Sequence, residues 1–126
     1  FNTGILDGCN SNCIVEQGWT CTVANPSVCT PICQDGLVVQ GEICDDGEAI
    51  NADGCLADCS AEAIGWVCSG GTITTPTLCS EVCGNAIKTS GENCDDGNAV
   101  DLDGCSLTCD INTGFTCIVS PDPSVC

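Results

Sequence analysis

Cysteines return along this chain at fixed intervals, and that periodicity limits the possible folds more tightly than any other feature. Asp7-Gly8-Cys9, Asp53-Gly54-Cys55 and Asp103-Gly104-Cys105 are each followed by a further cysteine four positions on, at Cys13, Cys59 and Cys109. Gly41-Glu42-Ile43-Cys44-Asp45-Asp46-Gly47 recurs fifty residues later as Gly91-Glu92-Asn93-Cys94-Asp95-Asp96-Gly97. Gly18-Trp19-Thr20-Cys21, Gly65-Trp66-Val67-Cys68 and Gly114-Phe115-Thr116-Cys117 put an aromatic residue at one position of the same period. Self-similarity of this length is the signature of a repeat array. One unit spans 33–82, with Cys33, Cys44, Cys55, Cys59, Cys68 and Cys79, and the next spans 83–126, with Cys83, Cys94, Cys105, Cys109, Cys117 and Cys126. Residues 1–32 carry only the last four positions, Cys9, Cys13, Cys21 and Cys29, and read as a partial unit that lacks its N-terminal half.

Sixteen cysteines in 126 residues is the density of a disulfide scaffold. Thiolate metal ligation would call for Cys-x-x-Cys knuckles or histidine partners. Every close pair here is Cys-x3-Cys (Cys9/Cys13, Cys29/Cys33, Cys55/Cys59, Cys79/Cys83, Cys105/Cys109), and the chain has no His. Disulfides persist in oxidising compartments, so the expected location is extracellular or at the cell surface, after secretion. Eighteen acidic residues face a single basic one, Lys88, and the net charge of −17 repels nucleic acid and anionic lipid. No apolar run reaches the roughly 18–20 residues of a membrane span, and residues 1–20 lack the charged start and apolar stretch of a signal peptide. The expectation is an exported, mature segment.

Each unit is too small to stand on its apolar core. Chains below roughly 70 residues rarely draw more than ~3–5 kcal/mol from one, and the inventory here is a Leu37-Val38-Val39 or Ala86-Ile87 run with one aromatic residue. A bridge closing a loop of ~15 residues contributes about 3 kcal/mol on chain-entropy grounds, so three per unit dominate. Gly, Asp, Asn and Pro interrupt the chain every eight to twelve residues. That spacing predicts short β-strands and turns with little helix, at most one helical turn at Cys55–Cys59 or Ala61–Ala63. Cys29 is followed within four residues by Cys33, and Cys79 by Cys83, so the tandem repeats are expected to stack on their neighbours into an elongated rod. Trp19, Trp66 and Phe115 are read as core residues rather than sugar-stacking platforms.

Six cysteines allow 15 pairings, and spacing does not choose among them. The segments Cys13 to Cys21, Cys59 to Cys68 and Cys109 to Cys117 are spaced like the terminal loop of an epidermal-growth-factor-like module. That resemblance favours them as local bridges, with Cys33–Cys44 and Cys55–Cys79 following. In the rival arrangement Cys55 and Cys59 bridge back to Cys33 and Cys44, Cys68 joins Cys79, and Cys9 and Cys13 lack partners.

Written out from Cys83 to Cys109, the pattern is Cys-Gly-Asn-x5-Gly-Glu-x-Cys-Asp-Asp-Gly-Asn-x4-Asp-Gly-Cys-x3-Cys. It resembles a cysteine-rich repeat named from myxobacterial surface proteins and abundant in ciliate and algal extracellular proteins, a domain of unknown function. The first full unit departs from it at Gln34-Asp35-Gly36, where the next has Gly84-Asn85, and at Glu48, where the next has Asn98. The resemblance implies an extracellular, tandemly repeated structural or adhesive module and no reaction.

The acidic loops are the candidate site. Asp45, Asp46, Glu48, Asn51 and Asp53 lie between two cysteines of one unit, and Asp95, Asp96, Asn98, Asp101 and Asp103 between two of the next. Calcium takes six to eight oxygen ligands, and loops tied at both ends by cysteines can hold carboxylates around it, so Ca2+ is the candidate cofactor. The candidate ligands are Asp45, Asp46, Asp53, Asp95, Asp96, Asn98, Asp101 and Asp103. An EF-hand is excluded, because its twelfth-position Glu and flanking helices are missing. The competing reading is that Asp-Gly pairs form turns and that the acids keep the surface soluble. In the first unit only Asp7 persists, with Ile5 at the position of Asn51 and Asp101, so weak or no binding is expected there.

No catalytic residues are expected. The chain has no His, Tyr or Arg, and its hydroxyls have no base beside them. The expected role is a non-enzymatic extracellular structural repeat, a building block of a cell-surface or fibrillar assembly. The alternative is a Ca-dependent adhesion or ligand-binding ectodomain. Partners would be copies of the chain or neighbouring repeats. Thr72–Thr77 and Ser120-Pro121-Asp122-Pro123-Ser124 are candidate O-glycan acceptors.

Overall fold

A computed structural model describes residues 7–50 and 53–126. Among them there is no helix, and four short strands form two two-stranded sheets. Strand β1 (Trp19–Cys21) pairs antiparallel with β2 (Cys29–Pro31), in the register Trp19↔Pro31, Thr20↔Thr30 and Cys21↔Cys29. Strand β3 (Trp66–Thr72) pairs with β4 (Thr75–Glu81). In the last repeat the same place is held by a single antiparallel bridge, Ile118↔Val125.

Neither Cys55–Cys59 nor Ala61–Ala63 forms a helical turn. The Cys59 N–H donates to the Leu56 carbonyl at 2.7 Å, but Cys59 itself sits at φ 56°. That left-handed conformation keeps this tight turn from continuing as a helix and swings the chain back into the antiparallel bridge Cys55↔Glu62. Cys13 and Cys109 repeat the device, at φ 61° and 55°, beside the bridges Cys9↔Val15 and Cys105↔Ile111.

Seven disulfides are present: Cys21–Cys29, Cys33–Cys59, Cys44–Cys55, Cys68–Cys79, Cys83–Cys109, Cys94–Cys105 and Cys117–Cys126. The growth-factor-like expectation of local Cys13–Cys21, Cys59–Cys68 and Cys109–Cys117 bridges is thereby corrected. The rival backward pairing holds instead, with Cys59 joined to Cys33 and Cys55 to Cys44. The physical reason lies in the left-handed residues. They turn Cys59 and Cys109 into buried clusters of sulfur, Cys44/Cys55/Cys59 with Cys33 against it, and Cys94/Cys105/Cys109 with Cys83 and Cys117. The later cysteines meanwhile face one another across a hairpin, with Cα–Cα separations of 4.0 Å for Cys21–Cys29 and Cys68–Cys79. The glycine of each Asp-Gly-Cys triplet makes room for that hairpin bridge. A Cβ at Gly8, Gly54 or Gly104 would strike the Cβ of Cys29, Cys79 or Cys126, and all three glycines have positive φ.

The chain separates into two compact units, one of Phe1–Glu62 with Cys68–Cys79 and one of Ala63–Val67 with Ser80–Cys126. These lines differ from the repeat boundaries at 32/33 and 82/83, because each Gly-aromatic segment joins the repeat that follows it. In the first unit the Ile32 N–H donates to the Gly18 carbonyl at 2.8 Å, and in the second the Val82 N–H donates to the Gly65 carbonyl at 3.0 Å. Gly18 abuts the Val39 side chain, and Gly65 abuts Thr89 and Ile87. The expectation of three core aromatics is met by Trp19, which is 9% exposed, and corrected for Phe115, which is 42% exposed. A Cβ placed at Gly114 would meet nothing within 4 Å, so the segment of Phe115 lacks the cover that Val39 gives to Gly18.

Candidate functional site

The adjacent aspartates of each Cys-Asp-Asp-Gly motif have opposite fates. The Asp45 carboxylate is fully buried and takes up four backbone N–H groups. Gln34 and Asp35 donate to Oδ2 at 2.9 and 3.2 Å, and Gly36 and Gly47 donate to Oδ1 at 3.1 and 2.8 Å. Asp95 reproduces the arrangement with Gly84 and Asn85 on Oδ2 at 2.9 and 3.1 Å, and with Ala86 and Gly97 on Oδ1, both at 2.9 Å. These are concave nests of main-chain donors, a shape proteins use to hold anions, filled here by a carboxylate of the chain itself. Left-handed residues bend them. In one repeat they are Gln34 and Gly36, both at φ 76°, and in the next Gly84 at 83° and Ala86 at 68°. The sequence departure at Gln34-Asp35-Gly36 thus exchanges which of two strained positions is glycine and leaves the nest intact.

The same aspartates are tied by their main chain to the last hairpin. Asp45 N–H donates to Thr77 Oγ1 at 3.0 Å, and Thr77 N–H donates back to the Asp45 carbonyl at 2.7 Å. Asp95 and Ser124 make the same exchange at 3.1 and 2.6 Å. Thr77 and Ser124 enter the sequence reading only inside the candidate O-glycan stretches; both are buried here, with the hydroxyl engaged by the aspartate N–H. Their one sequence signal is that each lies two residues before the last cysteine of its repeat.

With about four lone-pair positions per carboxylate, Asp45 and Asp95 direct theirs at main-chain donors. The remaining candidates of the earlier repeat converge. Asp46, Glu48 and Asp53 line a cleft of about 210 Å³ together with Thr77, Leu78 and Cys79. Asp46 is braced by N–H donation from Glu48 to Oδ1 at 3.1 Å and from Cys55 to Oδ2 at 2.9 Å, while Asp53 Oδ1 is buried with no hydrogen-bond partner. Asn51 lies outside the described residues, as do Asn2 and Ile5. In the later repeat amides occupy the acids. Asn98 Nδ2 donates to Asp103 Oδ2 at 3.2 Å, Asn112 Nδ2 donates to Asp101 Oδ1 at 3.0 Å, and Asp96 Oδ1 accepts the Asn98 N–H at 3.3 Å.

A second gathering of ligand-type atoms is formed by Glu42, Asp45, Cys33 and Cys59, and its counterpart by Glu92, Cys83 and Cys109, all within 4.8 Å of one another. Their sulfurs are joined as disulfides, so no thiolate is on offer. Glu42 Oε2 accepts the Val39 N–H at 2.9 Å and Glu92 Oε2 the Thr89 N–H at 2.9 Å, while both Oε1 atoms are buried without a partner. Burial pushes the Glu42 carboxyl above its ordinary value of 4.5, the Val39 N–H partly offsets this, and the negative charges of Asp45 and Asp35 add to the rise. Asp35 is raised as well, first by desolvation, against the Leu37 N–H that lowers it and with Asp45 adding repulsion. Exposed Asp58 is lowered by the Ser60 hydroxyl and N–H.

Buried sulfur clusters, a carboxylate-filled nest beside each and a bridged hairpin at the end together define a class, the disulfide-centred tandem repeat. Within that class the chain belongs to the family described as Domain of unknown function (DUF4215), which matches residues 10–60 and again 67–110. No curated protein and no solved structure gives a match.

Proposed function

We propose that this chain is a non-enzymatic, extracellular structural repeat protein, a building block of a cell-surface or fibrillar assembly whose contacts are with neighbouring repeats. The observation that carries this reading is the use made of the reactive groups. The buried acids Asp45 and Asp95 and the hydroxyls of Thr77 and Ser124 are committed to one another or to main-chain N–H groups, at matching positions in successive repeats. The disulfides support an oxidising compartment, and no helix among the described residues is long and apolar enough to cross a membrane. Repeats that each bury little apolar surface gain by stacking, which supports a rod. Small-angle scattering tests it: a rod-like profile is expected, and the profile of a compact sphere of 126 residues counts against the rod.

A second reading, Ca-dependent adhesion or ligand binding, is favoured by the Asp46/Glu48/Asp53 cleft and its unpaired Asp53 oxygen. Extracellular modules work at affinities near 10⁻⁴–10⁻³ M. Titration calorimetry at millimolar Ca2+ tests it, and the absence of heat returns these acids to turn formation and solubility. Exposed Thr74 and Thr75 at the turn of the β3–β4 hairpin are the proposed O-glycan acceptors, checked by intact mass.

A further inference from the structure

Asp-Gly peptides are chemically fragile, because the aspartate carboxyl and a following amide nitrogen with no side chain beside it can close on one another. The chain has six of them, at Asp7, Asp35, Asp46, Asp53, Asp96 and Asp103. In all but one, a side-chain oxygen holds the glycine N–H. Gly8 donates to Glu16 Oε2 at 3.0 Å, Gly36 and Gly47 to Asp45 Oδ1 at 3.1 and 2.8 Å, Gly97 to Asp95 Oδ1 at 2.9 Å and Gly104 to Asn112 Oδ1 at 3.2 Å. The N–H of Gly54 makes no hydrogen bond among the described residues.

The gap has a cause in the sequence. The Trp19, Trp66 and Phe115 N–H groups donate to the carbonyls of Glu16, Ala63 and Asn112 at 3.3, 3.1 and 3.1 Å, which makes those three acceptor residues equivalent. Glu16 and Asn112 carry the oxygens that hold Gly8 and Gly104, whereas alanine has no side-chain acceptor to offer. The Asp53 carboxyl likewise accepts no hydrogen bond among the described residues, and its Oδ1 is buried without a partner. Asp46 is held by the Glu48 and Cys55 N–H groups, and Asp35 by that of Leu37.

We infer that Asp53-Gly54 is a site of spontaneous covalent modification, at which Asp53 isomerises to isoaspartate while the held amides protect the other Asp-Gly peptides. The Gly54 nitrogen attacks Asp53 Cγ. A new N–C bond forms as the amide proton and a carboxyl hydroxyl leave together as water, which closes a succinimide ring. Water then adds to the ring carbonyl next to Cα and breaks its bond to nitrogen, so the main chain continues through Cβ and Cγ and a carboxyl group stands on Cα. One water is lost and one regained, and nothing is oxidised or reduced. Asp53 lines the cleft with Asp46 and Glu48, so the reaction re-aims one of the acids gathered there.

The test ages the whole 126-residue chain, disulfides intact, at neutral pH and physiological temperature, with peptide mapping that separates isoaspartyl from aspartyl forms. Isoaspartate at position 53 is expected at least about tenfold faster than at any other Asp-Gly, since a held N–H must first be freed from its acceptor. In the reduced, denatured chain the six rates should converge. Asn112→Ala should raise the rate at Asp103 severalfold and leave that at Asp53 unchanged, whereas Asn112→Asp, which keeps an acceptor oxygen, should leave Asp103 protected. Amide exchange gives a reading that needs no variant: the Gly54 N–H should exchange faster than those of Gly8, Gly36, Gly47, Gly97 and Gly104. A native rate at Asp53 no higher than at the other sites, a preference for Asp53 that persists in the denatured chain, an Asp103 rate indifferent to Asn112→Ala, or a Gly54 amide slower than the other five would each overturn the proposal.

Discussion

Replacing Asp95 by Asn changes almost no volume and tests whether the filled nest is a structural keystone. The carboxylate of Asp95 receives two N–H groups on each oxygen, from Gly84 and Asn85 on one side and from Ala86 and Gly97 on the other. An amide keeps one acceptor oxygen and turns an NH2 group toward the other pair of donors, so two charge-assisted bonds are lost. At about 1.5–3 kcal/mol for a hydrogen bond to a charged group, Asp95→Asn is expected to destabilise the chain by about 3–6 kcal/mol. Small domains are typically stable by about 5–15 kcal/mol, so the loss is a large share of the whole. The assay is denaturant unfolding with the disulfides intact, joined to amide exchange at Gly84, Asn85, Ala86 and Gly97. Asp122→Asn is the comparator, because Asp122 accepts a single exposed bond, from Lys88 N–H at 3.2 Å, and its loss should stay within about 0.5 kcal/mol. A change below about 1 kcal/mol for Asp95→Asn, with exchange at those four amides unaltered, would refute the reasoning.

Glu42 supplies a pH dependence. Its folded pKa is raised, so the ionised form penalises the native state, fully so above that pKa. The penalty is relieved as pH falls through the folded value toward the ordinary 4.5. Glu42→Gln should flatten that part of the melting-temperature profile between pH 7 and pH 4, and an unchanged slope contradicts it. Ala86→Gly should raise stability by about 0.5–1 kcal/mol, because it removes a side chain from φ 68°. Gly84→Ala should lower stability by more than that, since its Cβ would lie 2.7 Å from the Asn98 carbonyl oxygen; equal melting temperatures for parent and both variants would count against the strain assignment. For calcium, Asp53→Asn should lose whatever melting-temperature rise millimolar Ca2+ produces, while Asp103→Asn, whose acid already holds the Asn98 amide, should keep it; the reverse order would move the site to the later repeat.

The repeat, its turns and the loop that gathers acids are legible in the sequence because they depend on residue type at fixed spacing. The nest is not. Asp45 and Asp46 are chemically identical neighbours, and which of them turns inward depends on how the Cys44–Cys55 bridge orients the chain between them. The partners that make Asp45 a keystone come from Gln34–Gly36 on one side and from Thr77, 32 residues away, on the other, and no local pattern joins those distances. Pairing failed for a related reason. The loop from Cys59 to Cys68 has a growth-factor-like length, but the left-handed Cys59 sends its sulfur backward, and backbone handedness at a cysteine leaves no mark in the spacing.

The bridged hairpins hold fixed contacts to the rest of the repeat while the spans they enclose vary in length. Between Cys68 and Cys79, Thr77 is locked onto Asp45, a Cβ at Gly71 would strike Val38 and Thr77, and the Thr72 carbonyl accepts the Val38 N–H at 2.9 Å. The spans enclosed by the hairpin bridges differ in length, with sequence separations of 8, 11 and 9, while the sulfur clusters at Cys44/Cys55 and Cys94/Cys105 keep the same separation of 11. Each Cys–Cys crosslink therefore works as a clamp on a tether. The turn beyond it can change length as long as the residue two places before the closing cysteine still meets the buried aspartate. In a tandem array of such units the hairpin spans can diversify one at a time while the separation within each sulfur cluster stays constant.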